Sequence, residues 1–146
     1  MKVIALSDLM GTSREVHCPR NGFISYRYVL AGDGVGFSIH RTVIPKGEEQ
    51  HWHYLHHIEA CYCIAGYGVL TNVATQEKYQ IGPGSLYVLD QHDDHTFQAY
   101  EEVTFISVFN PPCTGSEVHD EMGSYPTSES IINSQQEVSH DVTNQR

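Results

Sequence analysis

The sequence predicts an all-β protein, a small antiparallel barrel or sandwich, and three observations lead to this fold class. Apolar and polar residues alternate with a period of two over several short segments. Turns rich in glycine and proline separate these segments at close spacing. No segment keeps a helical apolar period for more than two turns. Many short strands with such turns are typical of antiparallel sandwiches and barrels.

The positions of the strands follow from this alternation and from the turns between them. The first 22 residues are predicted to form a short strand, a turn at Gly11-Thr12 and an irregular loop. Pro111-Pro112 ends the last strand, because proline cannot donate a hydrogen bond to a sheet. The remaining strands are expected at residues 23–30, 37–44, 58–64, 69–73, 79–81, 85–89 and 103–109.

One predicted strand has a polar face with two interpretations. Along residues 37–44 the side chains of Phe37, Ile39 and Val43 point one way and those of Ser38, His40 and Thr42 the other. An alternating strand usually turns its polar face to water. In a barrel with a functional lumen, the polar face lines the cavity instead.

The chain of 146 residues is most simply one domain. We place that domain at residues 1–126. After Tyr125-Pro126 the composition shifts to Ser, Thr, Asn, Gln and acids with few aliphatics, so residues 127–146 are expected to be a flexible C-terminal tail.

Charge and cysteine content limit the partners and the compartment. The formal net charge is -10, so nucleic acid and anionic membranes are not expected as partners. No stretch approaches the length of a membrane span. The four cysteines include no CxxC pair, and Cys61 and Cys63 are interpreted as small core residues. Reduced thiols and a cytoplasmic location are therefore expected.

Two clusters of metal-binding residue types stand out. Four histidines and Glu59 fall within residues 51–59, and Tyr87 with residues 92–95 (HDDH) forms the second cluster. Imidazole and carboxylate groups are the usual ligands of borderline and hard divalent metals. The alternative is that these side chains are surface or packing residues. The density of ligand types favours one metal site between the two clusters.

The order of these residues resembles the two motifs of the cupin superfamily, which form a β-barrel or jelly roll with short loops or helices at its ends. In cupins a glutamate and three histidines are the standard ligands. The resemblance thus implies a set made of His51, His53, Glu59 and His95. The spacing in the first motif departs from the usual pattern, and Asp90 stands where the second motif usually has proline.

Three segments carry a closer resemblance, to the ectoine synthase family. Residues 56–64 (HHIEACYCI) are similar to its HHLEAVYCI-type segment, and residues 84–95 (GSLYVLDQHDDH) to its GTLYxLDxHDxH segment. The stretch from Val108 to Tyr125 resembles its VFNPPxTGxEVHDExGxY ending. The resemblance covers residues 1–126, and the tail lies outside it.

This resemblance implies an enzyme, a cofactor and an assembly. Family members are dimeric hydro-lyases that use iron, Fe(II), to close N-γ-acetyl-2,4-diaminobutyrate to ectoine, a compatible solute, with loss of water. Another divalent metal is the alternative. Carried over by motif, the metal ligands are Glu59, Tyr87 and His95, a set that shares Glu59 and His95 with the cupin set.

The resemblance also assigns residues around the metal. The implied catalytic residues are Tyr54, Glu117 and His119, and the alternative for the last two is a solvated loop. Arg27 is expected to bind the substrate carboxylate, with an ordinary surface arginine as the alternative. The other implied substrate-binding residues are Phe23, His40, Thr42, Ser107 and Phe109.

Two departures from the family pattern concern the expected substrate wall. The family usually has Trp near Phe23, and a pocket Cys is usual where Ser107 stands. Three alternatives therefore stay open. The chain is a divergent member acting on a related N-acyl diamine, a cupin metalloenzyme with another lyase or oxygenase reaction, or a non-catalytic cupin that binds a small solute.

Overall fold

A computed structural model describes residues 1–20, 22–47, 49–121 and 123–127. Within these ranges the chain forms two short 3-10 helices, Leu6–Asp8 and Ala31–Asp33, and ten strands. The strands are β1 (Glu15–His17), β2 (Ile24–Val29), β3 (Ser38–Ile44), β4 (Glu49–Trp52), β5 (Ile58–Ala65), β6 (Gly68–Asn72), β7 (Lys78–Ile81), β8 (Leu86–Leu89), β9 (His95–Ala99) and β10 (Val103–Asn110).

The strands form two antiparallel sheets with the core between them. One sheet has six strands in the order β1-β2-β3-β10-β5-β8, and the other has four in the order β4-β9-β6-β7. The inner faces meet at aromatic contacts, such as that of Phe97 on β9 with Phe105 on β10 at 5.3 Å between ring centroids. The predicted all-β, cupin-type fold is confirmed.

Three strands differ from the sequence prediction. The prediction of a strand before Gly11 is wrong, because the Asp8 carboxylate accepts the Ala5 N–H at 2.8 Å and closes a 3-10 turn there. The first strand, β1, follows the turn instead. The strands β4 and β9 were not predicted. In β9 the buried residues His95, Phe97 and Ala99 alternate with Thr96 and Gln98, but polar neighbours conceal this pattern.

The polar face of β3 lies inside the protein. Ser38 and His40 are 0% and 1% exposed, whereas Phe37, just before the strand, is 39% exposed. The interpretation in which this face lines a lumen is therefore confirmed. Inward-facing polar groups cost free energy unless they are hydrogen-bonded, which suggests that they serve a site.

The opposite side of the six-stranded sheet carries an outer apolar face, made of exposed side chains of β5 and β8. The strands pair so that Tyr62 lies opposite Leu86, and both are exposed. The members of the outer apolar face are Ile58, Tyr62, Ile64, Leu86 and Val88. Because β8 is an edge strand, this face continues to the rim of the sheet.

Two further features bear on the sequence predictions. All four cysteines lie in the described ranges, are buried and carry free thiols. No helix in the described part of the chain is long and apolar enough to span a membrane. The domain boundary at residue 126 stays a prediction, and of the predicted flexible tail, residues 128–146 lie outside the described residues.

Candidate active site

A small cavity lies between the two sheets and is lined by side chains from both. Nine of the twelve predicted site residues line it: Phe23, His40, Thr42, Tyr54, Glu59, Tyr87, Ser107, Phe109 and His119. Ile44, Trp52, Cys61, Phe105 and Tyr125 complete the lining. Arg27, His95 and Glu117 are not part of this lining.

Strand pairing explains why these residues share one face. In β10, Ser107 lies opposite His40 of β3 on one side and opposite Cys61 of β5 on the other. Directly paired residues of an antiparallel sheet point to the same side. The same register places Phe109 opposite Glu59. Period-two alternation thus brings residues distant in sequence to one wall.

Glu59 is a buried carboxyl group in this wall. Burial raises its pKa from 4.5 to about 7, while hydrogen bonds to Cys61 and Ser107 act in the opposite direction. Burial likewise raises the pKa of the neighbouring Tyr87 hydroxyl well above its usual value. Near neutral pH Tyr87 therefore keeps its proton and Glu59 is only partly ionised, and a cation close to them would favour the charged form of both groups.

His95 faces the interior from the opposite sheet. Its Nδ1–H donates to the backbone carbonyl of Asp93 at 2.9 Å, which leaves the lone pair on Nε2. Within the described residues that buried Nε2 has no hydrogen-bond partner. Burial lowers the pKa of the ring. A neutral imidazole with one nitrogen bonded to a carbonyl and the other free is the form that binds metals.

His51 and His53 are not placed in the cavity. In β4, Gln50 and Trp52 face inward, so His51 faces out and pairs with Asp94 at 2.5 Å. His53 lies two residues after His51, so in an extended chain its side chain points to the same side as that of His51. The described residues contain no cluster of three or more His, Cys, Asp or Glu side chains arranged to hold a metal. The ligand set implied by the family contains only two residues of these types, Glu59 and His95, and its third member is Tyr87. A cluster of three such side chains is therefore not required for it.

Tyr54 and His119 form the polar contact at the other end of the cavity. The Tyr54 hydroxyl lies 2.7 Å from the Nε2 of His119, whose ring stacks on Tyr125 at 4.3 Å between centroids. Burial lowers the pKa of His119 to about 3, with a further contribution from Arg27. Burial also raises the pKa of Tyr54 well above 10. Both side chains are therefore neutral near pH 7.

Arg27 and Glu117 lie behind the cavity wall, in contact with each other. Their side chains are 2% and 0% exposed and 3.8 Å apart, so the alternatives of a surface arginine and a solvated loop are wrong. Arg27 donates to the backbone carbonyls of Gly115 and Glu117. The Glu117 carboxylate accepts the backbone N–H groups of Thr114 and Gly115. These bonds hold both side chains inside the protein and leave the buried Nε of Arg27 without a hydrogen-bond partner among the described residues.

Cys61, Trp52 and Tyr125 line the cavity although the sequence analysis gave them no site role. The signal for Cys61 was present, since a residue two positions after Glu59 in a strand shares its face. Trp52 was missed because the cupin motif implied that its neighbours His51 and His53 face the site, which would turn Trp52 away from it. Tyr125 follows no strand, and only the folded loop brings it to His119.

The space left between these side chains is narrow. It measures about 20 Å³, enough for one water molecule. His119 lines this cavity and also a surface depression that includes Arg20, Asp120 and Glu121. A ligand larger than water therefore requires wall side chains to move, and the His119 side chain separates the cavity from this depression.

Comparison with known proteins decides the family. The family model described as ectoine synthase matches residues 1–129. This chain belongs to the ectoine synthase family. It is 46% identical over 126 residues to L-ectoine synthase of Wolinella succinogenes, which covers 86% of this chain and 96% of the relative. It is also 46% identical to L-ectoine synthase of Mycobacteroides abscessus, which covers 90% and 99%.

A solved structure agrees with this assignment. The crystal structure of ectoine synthase from P. lautus matches with a TM-score of 0.77 and 38% identity, which covers 88% of this chain and 94% of that chain. The family predicted from the sequence motifs is confirmed, and with it the prediction that the chain is a lyase.

Proposed function

We propose that this chain closes N-γ-acetyl-2,4-diaminobutyrate to ectoine. The free α-amine attacks the acetamide carbonyl carbon of the same molecule, a C–N bond forms, and the carbonyl oxygen leaves as water to give a cyclic amidine. The main support is that the chain matches proteins named L-ectoine synthase along nearly their whole length. The proposed place for this reaction is the cavity, because nine of the twelve predicted site residues line it.

The chain's own residues supply the proton transfers that this reaction needs. The attacking amine must lose a proton, and the proposed acceptor is His119, which lines the cavity and whose lowered pKa rises when negative charge develops beside the ring. The oxygen must gain protons before it leaves as water. Tyr54 keeps its proton because burial raises its pKa, and it is the proposed donor toward the developing oxyanion. The hydrogen bond between Tyr54 and His119 connects the two steps.

An iron ion, Fe(II), is the proposed cofactor, and Glu59, Tyr87 and His95 are the proposed ligands. The residues fit such a group, because the buried Nε2 of His95 has no partner within the described residues and two oxygen donors lie in the cavity wall. When bound, the ion supplies a Lewis acid that polarises the acetamide carbonyl. Another divalent metal remains the alternative cofactor.

A related N-acyl diamine is the second candidate substrate. Both departures from the family pattern, Phe23 and Ser107, line the cavity. Phe23 contacts Trp52 edge to face at 5.9 Å between centroids, so it forms part of an apolar wall. A phenyl ring is smaller than an indole ring, so this exchange changes the shape of the wall and with it the acyl group that fits.

We also propose that the protein is a cytoplasmic homodimer. The outer apolar face supports the dimer, since contiguous exposed apolar side chains on a soluble domain mark interaction sites. The four free thiols support a reducing compartment.

Product formation tests the proposed function. The full chain, reconstituted anaerobically with iron, is incubated with N-γ-acetyl-2,4-diaminobutyrate beside the Glu59→Ala variant. We expect ectoine from the wild type and none from the variant. Absence of any cyclic product, while a curated relative produces it, refutes the assignment. Consumption of oxygen would indicate an oxygenase instead, and binding without turnover a solute-binding protein.

A further inference from the structure

Cys61 and Ser107 form a contact in the cavity wall to which the proton transfers described above assign no role. They are direct cross-strand partners on β5 and β10, and the Cys61 Sγ lies 3.3 Å from the Ser107 Oγ. Both are nearly fully buried, and both line the cavity. Cys61 is also the direct partner of Tyr87 on β8. Its sulfur therefore lies at the centre of three adjacent strands.

The two side chains are immediate neighbours of two predicted metal ligands. Cys61 shares a strand face with Glu59 and lies directly opposite Tyr87, and Cys61 and Ser107 both act to lower the pKa of the Glu59 carboxyl group. A glutamate side chain has several rotamers of similar energy, and a tyrosine hydroxyl rotates freely. Hydrogen bonds from fixed strand positions select one orientation for each group. Such supporting bonds typically change metal affinity or activity by about 10–100-fold.

We propose that Cys61 and Ser107 are a positioning pair that holds Glu59 and Tyr87 with their oxygens facing the cavity. The inference rests on the proposed function, which makes these two residues metal ligands. Cys61 is the central member, because it shares a strand face with Glu59, lies opposite Tyr87 and contacts Ser107. Neither residue is a catalytic residue, since each acts through Glu59 or Tyr87.

The geometry further predicts that a cysteine can support Glu59 and Tyr87 from position 61 on β5 or from position 107 on β10. Positions 61 and 107 face each other and their γ atoms lie 3.3 Å apart, so a sulfur on β10 would lie next to the place of the sulfur on β5 and on the same face of the sheet. The family segment HHLEAVYCI has valine where this chain has Cys61, and a cysteine is usual at the place of Ser107. The chain has thus exchanged a valine–cysteine pair for a cysteine–serine pair that presents the same sulfur from the opposite strand.

Four variants test the pair. Cys61→Val keeps the volume and removes the hydrogen bonds, whereas Cys61→Ser keeps a donor. The double variant Cys61→Val/Ser107→Cys moves the thiol to the partner strand. Cys63→Val is the matched control, because Cys63 is a buried thiol on the same strand that bonds only the carbonyl of Ala65 among the described hydrogen bonds. Iron affinity by chelator competition, kcat and KM are measured for each, with the thermal midpoint of the metal-free protein.

We expect Cys61→Val to weaken iron binding and kcat by about 10–100-fold while KM stays within about threefold. Cys61→Ser and the double variant should lie within about threefold to tenfold of the wild type, and Cys63→Val should match it in iron affinity. The proposal is overturned if Cys61→Val binds iron normally, if the double variant recovers nothing, or if Cys63→Val is equally impaired. Failure of the wild type to make ectoine would refute the proposed function, whereas the iron affinities still decide the role of the pair.

Discussion

The guanidinium of Arg27 and the carboxylate of Glu117 form an ion pair in the protein interior, with Nη1 of the arginine 3.8 Å from Oε2 of the glutamate. Arg27 also bonds the backbone of residues 115 and 117, two positions before His119. The pair therefore fixes the segment that carries His119 into the cavity. Breaking a buried pair leaves one charge without compensation, which is costly.

We expect Glu117→Gln and Arg27→Met each to lower the free energy of unfolding by about 3 kcal/mol, because each leaves a buried charge unpaired. The double variant should cost less than the sum of the two. Urea denaturation of the metal-free protein followed by circular dichroism measures all four members of this cycle. If Arg27→Lys raised KM and left stability unchanged, Arg27 would instead bind the substrate carboxylate.

The Tyr54–His119 contact predicts a loss of rate without a loss of substrate binding. Removing the hydroxyl in Tyr54→Phe should lower kcat by about 10²-fold or more, since general acid–base groups contribute on this scale. KM should change little. Tyr79→Phe is the control, because Tyr79 is half exposed and lies outside this cavity. Steady-state rates of ectoine formation are measured for the Tyr54→Phe and Tyr79→Phe variants. An unchanged kcat in Tyr54→Phe would exclude Tyr54 as proton donor.

Addition of iron to the metal-free protein should raise its thermal midpoint. A ligand present at 100 times its dissociation constant stabilises the folded state by about 2.7 kcal/mol. The variants Glu59→Ala and His95→Ala should lose this shift. His51→Ala should retain it, because His51 faces away from the cavity and pairs with Asp94. Loss of the shift in His51→Ala would instead support the cupin ligand set.

Acidification should destabilise the metal-free protein below pH 6.5. Burial lowers the pKa values of His40 and His119 from 6.5 to about 3, so between these values the unfolded chain takes up protons that the folded chain does not. Their stabilisation is complete above pH 6.5 and is lost as the pH falls toward 3. Glu59 has the opposite effect on stability, because burial raises its pKa to about 7 and the folded chain takes up this proton before the unfolded chain does. One carboxyl group offsets only part of the effect of two histidines.

The titration of His40 can be isolated by substitution. Each group contributes at most about 1.4 kcal/mol per pH unit. The variant His40→Gln should therefore show a smaller loss of unfolding free energy between about pH 6.5 and about pH 5. Urea titrations at both pH values measure the difference. Equal losses in the wild type and in His40→Gln would show that His40 does not titrate in this way.

The outer apolar face predicts where a dimer forms. Introducing a charge with Leu86→Lys should convert the protein to a monomer, because an unpaired ammonium cannot be buried in an apolar contact. Met10→Lys is the control, since Met10 is exposed and lies outside that face. Sedimentation velocity gives both masses. A monomeric wild type would refute the dimer, and a dimeric Leu86→Lys variant would place its interface elsewhere.

Period-two alternation explains how much of this fold the sequence could predict. Strands with a strong apolar alternation, such as β10, were identified because that signal is local. The strand β9 was missed, since His95 and its polar neighbours resemble a loop until the partner strands β4 and β6 are known. The short strand β1 depends on pairing with β2 rather than on its own sequence.

The sequence could predict those site residues that belong to a family motif or that share a strand face with a motif residue. Glu59 and Tyr87 lie where the family motifs imply, in one cavity wall. The environment of Arg27 was not predictable, because its partners at positions 115 and 117 are about 90 residues away and belong to a loop with no regular pattern. Such contacts depend on tertiary packing, which leaves no periodic trace in the chain.

The inward polar face of β3 has a consequence for how the chain folds. Ile39 and Val43 are only partly buried, and a slip of one residue would turn them inward and His40 outward. The same slip would bury Arg41 and expose Ile44, so the hydrophobic pattern of this strand alone selects the alignment only weakly. The seven cross-strand pairs with β10 must therefore select it. Replacing His40 by an aliphatic residue would strengthen the apolar signal for the right alignment, but it would remove a polar group from the cavity wall.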